Sequence, residues 1–229
     1  MSVFAIADLH LSLGTDKPMD IFHGWDNYLE RLTANWNKLI SDNDTVVIAG
    51  DISWAMKLSE CDKDFSFINL LPGEKIFLKG NHDYWWDTVS KINRFLNENN
   101  LNTIKILFNN SFEADNFVLC GTRGWGLDCE KNEDIRILNR ECGRLRLSLD
   151  SASDSDKEKI VFLHYPPIYG ESVCEEIIGI LKEYNVKKCY YGHIHGNNMI
   201  RAAFNGAYEG IDFRLISCDS VSFTPVLVR

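Results

Sequence analysis

The sequence contains no apolar run near the length of about 20 residues that a membrane-spanning helix needs. Its N-terminus passes from Met1 into the apolar run Val3-Phe4-Ala5-Ile6, with neither a basic region nor a small-residue cleavage site. We therefore expect a cytoplasmic protein without a membrane span. Basic residues are outnumbered as well, and the formal net charge is −9. No global field attracts a phosphate backbone, so the charge disfavours binding of duplex nucleic acid.

Paired cysteines are also lacking. The seven cysteines are scattered, odd in number and without a Cys-x-x-Cys pair, which indicates reduced thiols rather than a disulfide framework. They are Cys61, Cys120, Cys129, Cys142, Cys174, Cys189 and Cys218. With 229 residues, of which 45% are hydrophobic, the chain can bury a sizeable core. We expect a single domain over residues 1–229.

Short apolar runs alternate with amphipathic segments along most of the chain, which is typical of an α/β protein. The runs predict buried strands at Ser2–Ala7, Thr45–Ala49, Ile76–Leu78, Ile160–Leu163 and Lys188–Tyr191. The amphipathic segments predict helices at Trp25–Leu39, Cys61–Leu71, Thr88–Asn99, Ile135–Leu149 and Val173–Tyr184. The arginines of the fourth helix are expected on a solvated face paired with acids.

Two further regions have weaker patterns. Ile104–Leu119 predicts two strands around Ala114-Asp115-Asn116, a hairpin rather than another βαβ unit. The end of the chain predicts three short strands, at about Met199–Phe204, Ile211–Ser217 and Val221–Val228.

Polar clusters follow the predicted strands, at the edge where open α/β sheets place their chemistry. They are Asp8-Leu9-His10, Gly50-Asp51, Gly80-Asn81-His82-Asp83, His164 and His193-Ile194-His195. Five of the six histidines lie in these clusters, and only His23, expected at the surface, does not. Each cluster alone could be a cap or a turn, but histidines placed for packing would not gather at strand ends in this way. Together the clusters indicate a functional site.

The residue types of these clusters suit a pair of divalent cations. Mixtures of imidazole and carboxylate favour manganese, iron or zinc, whereas calcium takes oxygen ligands and structural zinc usually takes thiolates. Two such ions about 3.5–4 Å apart activate a water for in-line attack on phosphorus. A phosphate ester is therefore the expected substrate class.

The order of the five clusters resembles that of the calcineurin-like metallophosphoesterase family, and none of the clusters is degenerate. Because Ile52-Ser53-Trp54 follows Asp51 without the arginine of the serine/threonine phosphatases, the chain is more similar to the small bacterial phosphoesterases. The resemblance implies an α/β fold, a sandwich of two mixed β-sheets flanked by helices in four α/β/β/α layers. It also implies hydrolysis by a hydroxide that bridges two metals (Mn²⁺, Fe²⁺/Fe³⁺ or Zn²⁺).

The resemblance further implies a role for each site residue. Asp8, His10 and His195 would bind one metal, Asn81, His164 and His193 the other, and Asp51 would bridge both. His82 would protonate the leaving oxygen or stabilise the transferring phosphoryl group, and Asp83 would orient His82.

The sequence leaves several alternatives open. The protein is interpreted as an enzyme, the alternative being a non-catalytic scaffold on the same fold. The neutral and aromatic neighbours of the clusters favour a phosphodiester or a nucleotide-like substrate over a phosphomonoester. Six aromatic residues could contact that substrate or pack the core: Trp54, Tyr84, Trp85, Trp86, Trp125 and Tyr165. Arg123 could contact a second phosphate group or lie at the surface.

Overall fold

The computed structural model of the chain describes residues 1–126 and 132–229. The strands are β1 (Val3–Ile6), β2 (Thr45–Ala49), β3 (Glu74–Leu78), β4 (Ile104–Ile106), β5 (Phe112–Ala114), β6 (Phe117–Thr122), β7 (Glu158–Leu163), β8 (Ile168–Tyr169), β9 (Ser172–Val173), β10 (Lys188–Tyr191), β11 (Gly206–Tyr208), β12 (Ile211–Leu215) and β13 (Val226–Leu227). The helices are α1 (Tyr28–Leu39), α2 (Asp62–Leu70), α3 (Val89–Glu98), α4 (Asn132–Asp150), α5 (Glu175–Glu183) and α6 (Asn197–Ile200), with a 3-10 turn at Leu58–Glu60.

The strands form two mixed sheets and one short ribbon. The first sheet has the order β13-β1-β2-β3-β4, in which β1 to β4 are parallel and β13 is antiparallel. The second has the order β11-β12-β10-β7-β6-β5, with β12, β10, β7 and β6 parallel and an antiparallel strand at each edge. β8 and β9 pair as the ribbon.

Alternation along the strands divides the core into layers. In β1, Val3 and Ala5 belong to a buried cluster shared with the second sheet, while Phe4 and Ile6 belong to a cluster shared with helices. Successive side chains of a strand point to opposite faces, so an all-apolar strand is covered on both sides. The first sheet therefore lies between the second sheet and a helical layer.

Helices cover the two outer faces. On α1, Tyr28, Leu32 and Trp36 lie four residues apart and are buried in the cluster that also takes residues from the regions of α2 and α3. α4 and α5 contribute to the cluster on the outer face of the second sheet, for example through Leu145 and Leu181. The fold is the four-layer α/β/β/α sandwich expected from the sequence.

The two sheets meet at their carboxyl edge. Beyond β1, the amide of Ala7 donates to the carbonyl of Ile216 at 2.9 Å, and the amide of Cys218 donates to the carbonyl of Ala7 at 3.0 Å. Ala7 and Ser217 thus form a parallel bridge between the ends of β1 and β12. Because of this bridge, the loops that follow strands of both sheets lie side by side.

Two predicted segments differ from the structure. Ile104–Leu119 contains three strands, because β4 pairs in parallel with β3 and completes a β3-α3-β4 unit. Only β5 and β6 form the expected hairpin. The chain turns between β4 and β5, where Asn109 has a positive φ of 60°, and β4 therefore joins a different sheet from the hairpin. The prediction that this region lacks a βαβ unit was wrong.

The end of the chain differs as well. Met199–Phe204 is not a strand: α6 begins after Gly196, whose φ is 75°, and ends at Ile200. In the last segment only Val226 and Leu227 are extended in a ladder, because Ser222 and Phe223 have positive φ and Pro225 has no amide hydrogen to donate.

The structure also bears on membrane spans and on the cysteines. Over residues 1–126 and 132–229, no helix has both the length and the apolar character to cross a bilayer. Cys61, Cys120, Cys174, Cys189 and Cys218 are buried free thiols. Cys129 lies outside the described residues.

Candidate metal centre

The predicted site residues lie at the carboxyl edge where the two sheets meet. Asp8 and His10 follow β1, Asp51 follows β2 and Asn81 to Asp83 follow β3, all in the first sheet. His164 follows β7, and His193 and His195 follow β10, in the second sheet. Because parallel strands release their loops at a common edge, oxygen- and nitrogen-bearing side chains from distant parts of the sequence converge there.

The first candidate group consists of Asp8, His10 and His195. Nε2 of His10 lies 3.1 Å from Nε2 of His195, and Nε2 of His195 lies 3.1 Å from a carboxylate oxygen of Asp8. Asp8 is fully buried and also accepts the amide of His193 at 2.9 Å. Two imidazole nitrogens and a carboxylate thus converge on one point, an arrangement that suits a divalent cation.

The second candidate group consists of Asp51, His164 and His193. The amide oxygen of Asn81 lies 2.7 Å from Nε2 of His164 and 2.8 Å from Nδ1 of His193. The other ring nitrogen of His164 faces the carbonyl of Ala49 at 3.1 Å, which would fix the ring so that Nε2 faces the centre. Asn81 therefore joins this group as a neutral oxygen ligand.

Asp51, a member of the second group, also lies close to the first. Its Oδ2 is 3.7 Å from Nε2 of His10 in the first group and 3.4 Å from Nε2 of His164 in the second. Its Oδ1 accepts the amide of His82 at 2.7 Å. Oδ2 is buried and has no hydrogen-bond partner among the described residues. A buried carboxylate oxygen without a partner is costly, and cations on either side would satisfy it, so the residues fit a pair of metals.

The imidazoles of the two groups divide into neutral and charged rings. Burial lowers the pKa of His10 and of His193 to about 4 each. Burial also opposes the charge of His164 and His195, but nearby carboxylates outweigh it and raise their pKa to about 9 and about 10. Each group thus pairs one neutral ring with one protonated ring at neutral pH. Because a metal ligand must be a neutral imidazole, a cation would displace the two protons.

The backbone of this edge is held in uncommon conformations. Asp8, His10, Asp51 and His193 all have positive φ, between 46° and 73°. A positive φ is uncommon in residues other than glycine, and residues with this conformation cluster at functional sites. Four of the candidate ligands are thus held in this conformation.

Close backbone approach holds the second group. A β-carbon at Gly50 would lie 2.6 Å from Nδ1 of His164 and 2.7 Å from the α-carbon of Gly80, and one at Gly80 would overlap the side chain and amide of Asp51. Gly50 and Gly80 therefore allow the loops after β2 and β3 to pack directly against each other.

The buried carboxylate of Asp83 anchors those loops through hydrogen bonds. It accepts four backbone amides, those of Gly80 (2.7 Å), Asp51 (2.9 Å), Ile52 (2.8 Å) and Ser53 (3.3 Å). The indole of Trp85 also donates to this carboxylate, at 2.9 Å. Burial and the nearby charge of Asp51 raise its pKa to about 6.

The contacts of Asp83 differ from the role that the resemblance implied. Among the described residues, no hydrogen bond joins its carboxylate to the ring of His82. Nδ1 of His82 instead lies 3.5 Å from the hydroxyl of Tyr84. Asp83 holds the backbone from which Asp51 and His82 project, and it does not orient the His82 ring directly.

His82 lies beside the two groups and belongs to neither. Its half-buried ring packs 4.7 Å from that of Trp54 and 5.6 Å from that of His10. It lines a cavity of about 660 Å³, together with His10 and His195. A group that borders both the candidate metals and an open cavity is well placed to reach a bound substrate.

The aromatic residues near the site divide between cavity and core. Trp54 lines the cavity, whereas Trp85 is buried and packs against Trp86 in the core of the first sheet. Tyr165 is not among the residues that line the cavity; its ring lies 4.3 Å from that of His193, and it contacts Trp125. Trp54 is thus available to a substrate, whereas Trp85 and Trp86 pack in the core.

Arg123 does not lie at the surface. Its side chain is 16% exposed, packs against Trp125 and lies 3.7 Å from the buried carboxylate of Glu141. Glu141 also accepts Arg144 at 2.6 Å and the hydroxyl of Thr122 at 2.7 Å. The carbonyl of Arg123 accepts the amide of His164 at 3.1 Å, so this residue supports the site through its backbone.

Two site features were missed in the sequence. Asp219 accepts the amide of Gly196 at 2.8 Å, and its other oxygen lies 3.3 Å from Nδ1 of His195. The position of Asp219 four residues beyond β12, another parallel strand of the second sheet, could have indicated it. Trp25 is buried but also lines the cavity, as does the exposed His23.

Several known proteins are similar to this chain. The solved structure of TT1561 from Thermus thermophilus matches it with a TM-score of 0.63, over 99% of this chain and 97% of that one, at 11% identity. The structure of phosphopantetheinyl hydrolase (PptH) from Mycobacterium tuberculosis matches with a TM-score of 0.58, over 94% and 88%, at 14% identity. At these identities the likeness concerns the fold alone.

Sequence comparison gives one partial relative and one family. The uncharacterized protein MJ1445 of Methanocaldococcus jannaschii is 28% identical over 86 residues, which are 35% of this chain and 46% of that protein. The match thus spans about half the length of that curated relative. The family model described as calcineurin-like phosphoesterase matches residues 1–197, which hold all nine site residues expected from the sequence. The chain belongs to the calcineurin-like phosphoesterase family.

Proposed function

We propose that this protein is a phosphoesterase that uses two divalent cations. The observation that carries the proposal is the position of Asp51 Oδ2, which is buried and, among the described residues, without a hydrogen-bond partner between two groups of nitrogen and oxygen ligands. Asp8, His10 and His195 would hold one cation, and Asn81, His164 and His193 the other. Asp51 would contact both.

The cations would supply positive charge for the phosphoryl oxygens and a lowered pKa for the attacking water. The chain's own residues supply the rest. Oδ1 of Asp51 is held by the amide of His82, so Oδ2 stays aimed at the centre. Asp83 fixes the loops that carry these residues. His82 borders the cavity and would donate a proton to the departing alkoxide oxygen.

The surroundings favour a phosphodiester over a phosphomonoester. A dianionic monoester gains most from additional cationic side chains, yet the described residues that line the cavity include neither Lys nor Arg. Arg123 is turned towards Glu141 instead. A monoanionic diester depends less on such side chains, because it carries less negative charge.

Metal analysis combined with turnover tests the proposal. The purified protein should bind two equivalents of Mn²⁺ and hydrolyse bis(4-nitrophenyl) phosphate faster than 4-nitrophenyl phosphate, and chelation should abolish both activities. Asp51→Asn should lower metal content and rate together. Asp44→Asn is the matched control, because Asp44 is a buried carboxylate at the opposite end of β2.

Three results would contradict the proposal. Full activity in a verified metal-free sample would exclude metal catalysis. Two tightly held metals and near-normal turnover in Asp51→Asn would exclude the bridging role. Binding of two metals without turnover of any phosphate ester would favour the non-catalytic scaffold.

A further inference from the structure

The cavity beside the metal centre has a mostly apolar wall. It extends from His10, His82 and His195 to the loop before α1 and to the start of α6. Its remaining lining residues are Met19, Phe22, His23, Trp25, Trp54, Gly196, Asn197, Asn198 and Met199. A volume of about 660 Å³ is in the range of small-molecule sites. A phosphate ester at the metals would place one of its organic groups against this wall.

The wall carries no fixed charge. Among the described residues that line the cavity there is no Lys, Arg, Asp or Glu, and Asn197, Asn198 and His23 supply its polar groups. A charged organic group would lose hydration here without gaining a partner, which costs free energy. The chemistry of the wall therefore selects an uncharged group.

Neither of the two indoles in the wall offers a free face on which a planar group could stack. The ring of Trp54 is stacked on His10 at 4.8 Å, and the ammonium of Lys17 lies 4.9 Å from the same ring. Trp25 is 4% exposed and is packed by Phe223 at 5.0 Å and Tyr28 at 5.4 Å. A nucleobase could not stack on either indole without displacing these groups.

The accessible apolar surface comes from one aromatic ring and one flexible side chain. Phe22 and Met199 are 52% and 50% exposed, and both line the cavity. Met19 lies deeper, where its sulfur accepts the indole of Trp54 at 3.2 Å. Methionine side chains adapt to irregular apolar ligands. Exposed apolar side chains in a charge-free pocket gain most from a ligand that removes them from water.

We propose that the substrate carries an uncharged aliphatic chain that occupies this cavity, as in the phosphate ester of a lipid-like alcohol. The inference rests on the proposed phosphoesterase function and names the class of its substrate. Phe22 and Met199 would contact the chain, while the phosphate lies at the metal centre.

A series of 4-nitrophenyl alkyl phosphate diesters tests the proposal with a constant leaving group. The alkyl group is lengthened from methyl to octyl, and all esters are kept below their micellar concentration. Each methylene that becomes buried should raise kcat/KM by up to about fourfold, until the cavity is filled. The thymidine 5′-(4-nitrophenyl) ester represents a planar nucleoside group. A series without any dependence on chain length, or a thymidine ester faster than the octyl ester, would overturn the proposal.

Variants locate the effect in the cavity. Phe22→Ala and Met199→Ala should each flatten the dependence of kcat/KM on chain length. Leu147→Ala is the matched control, because Leu147 is also 52% exposed but lies on α4 and away from the cavity. An equal loss in Leu147→Ala, or an unchanged slope in both cavity variants, would contradict the assignment.

A binding measurement separates this proposal from the proposed function. Octylphosphonate is not hydrolysed, and its binding can be followed by the fluorescence of Trp25 and Trp54. It should bind more tightly than methylphosphonate, and Phe22→Ala should reduce the difference. Failure to hydrolyse even the methyl ester would refute the phosphoesterase function. Turnover of all esters at one rate, with equal binding of the two phosphonates, would refute the aliphatic substrate alone.

Discussion

Replacing Asp83 by Asn tests how the site is built. The carboxylate accepts the amides of Gly80 and Asp51 through Oδ2, and it accepts Ile52, Ser53 and an indole through Oδ1. An Asn side chain that keeps its oxygen at the Oδ1 position would turn its own amino group towards the amides of Gly80 and Asp51. Two buried donors would lose their acceptor, and each such loss costs about 1–3 kcal/mol.

The expected destabilisation of Asp83→Asn is therefore about 2–6 kcal/mol, a large share of the roughly 5–15 kcal/mol that is typical of a folded protein. Urea unfolding of the metal-free protein, followed by circular dichroism, measures it. Asp87→Asn is the control, because Asp87 pairs with Lys91 at 2.8 Å on the surface, where such pairs contribute about 0–1 kcal/mol. An Asp83→Asn variant within about 0.5 kcal/mol of the parent protein would show that the carboxylate does not anchor the loops.

Three further predictions concern the centre itself. Because the pKa of His164 is raised to about 9 and that of His195 to about 10, both rings are protonated in the metal-free protein at pH 7. Binding of two metals at pH 7 should therefore release about two protons, and metal affinity should rise with pH up to these values. Calorimetry in buffers of different ionisation enthalpy measures the number of protons released. Metal binding without proton release would contradict the assignment. His82→Ala should keep both metals and lose about 10²–10⁴-fold in rate for an alkoxide leaving group but less for nitrophenolate. Loss of metal, or an equal loss of rate for both leaving groups, would exclude His82 as the general acid. Asp219→Asn should weaken metal binding about 10–100-fold, whereas Asp212→Asn, an exposed control on β12, should bind normally; equal affinities would refute support of His195 by Asp219.

Much of the fold and site could be predicted because its signals are local. A buried strand such as Thr45–Ala49 is a short apolar run, and the polar residues after it lie at the sheet edge whatever the rest of the chain does. The position of Asp219 after a strand could indicate that it lies at this edge. Its contact with His195 could not be predicted, since that contact depends on the pairing of β10 with β12 and on the bridge between Ala7 and Ser217. These pairings are long-range and leave no periodic pattern.

The role of Asp83 was missed for a related reason. Its neighbour in sequence is His82, but most of its backbone partners are residues 51–53, some 30 positions earlier. The strand expected at Met199–Phe204 was wrong because a short apolar run does not distinguish a strand from a single helical turn.

The origin of the ligands in two sheets has a consequence for folding. One candidate group takes Asp8 and His10 from the first sheet and His195 from the second. The other group also draws on both sheets. Each cation would therefore act as a cross-link between sheets that pack against each other mainly through apolar side chains. A ligand that binds only the folded chain stabilises it by about 4 kcal/mol when its free concentration is about 1,000 times its Kd. The supply of metal would thus set how firmly the two halves of the sandwich are held together.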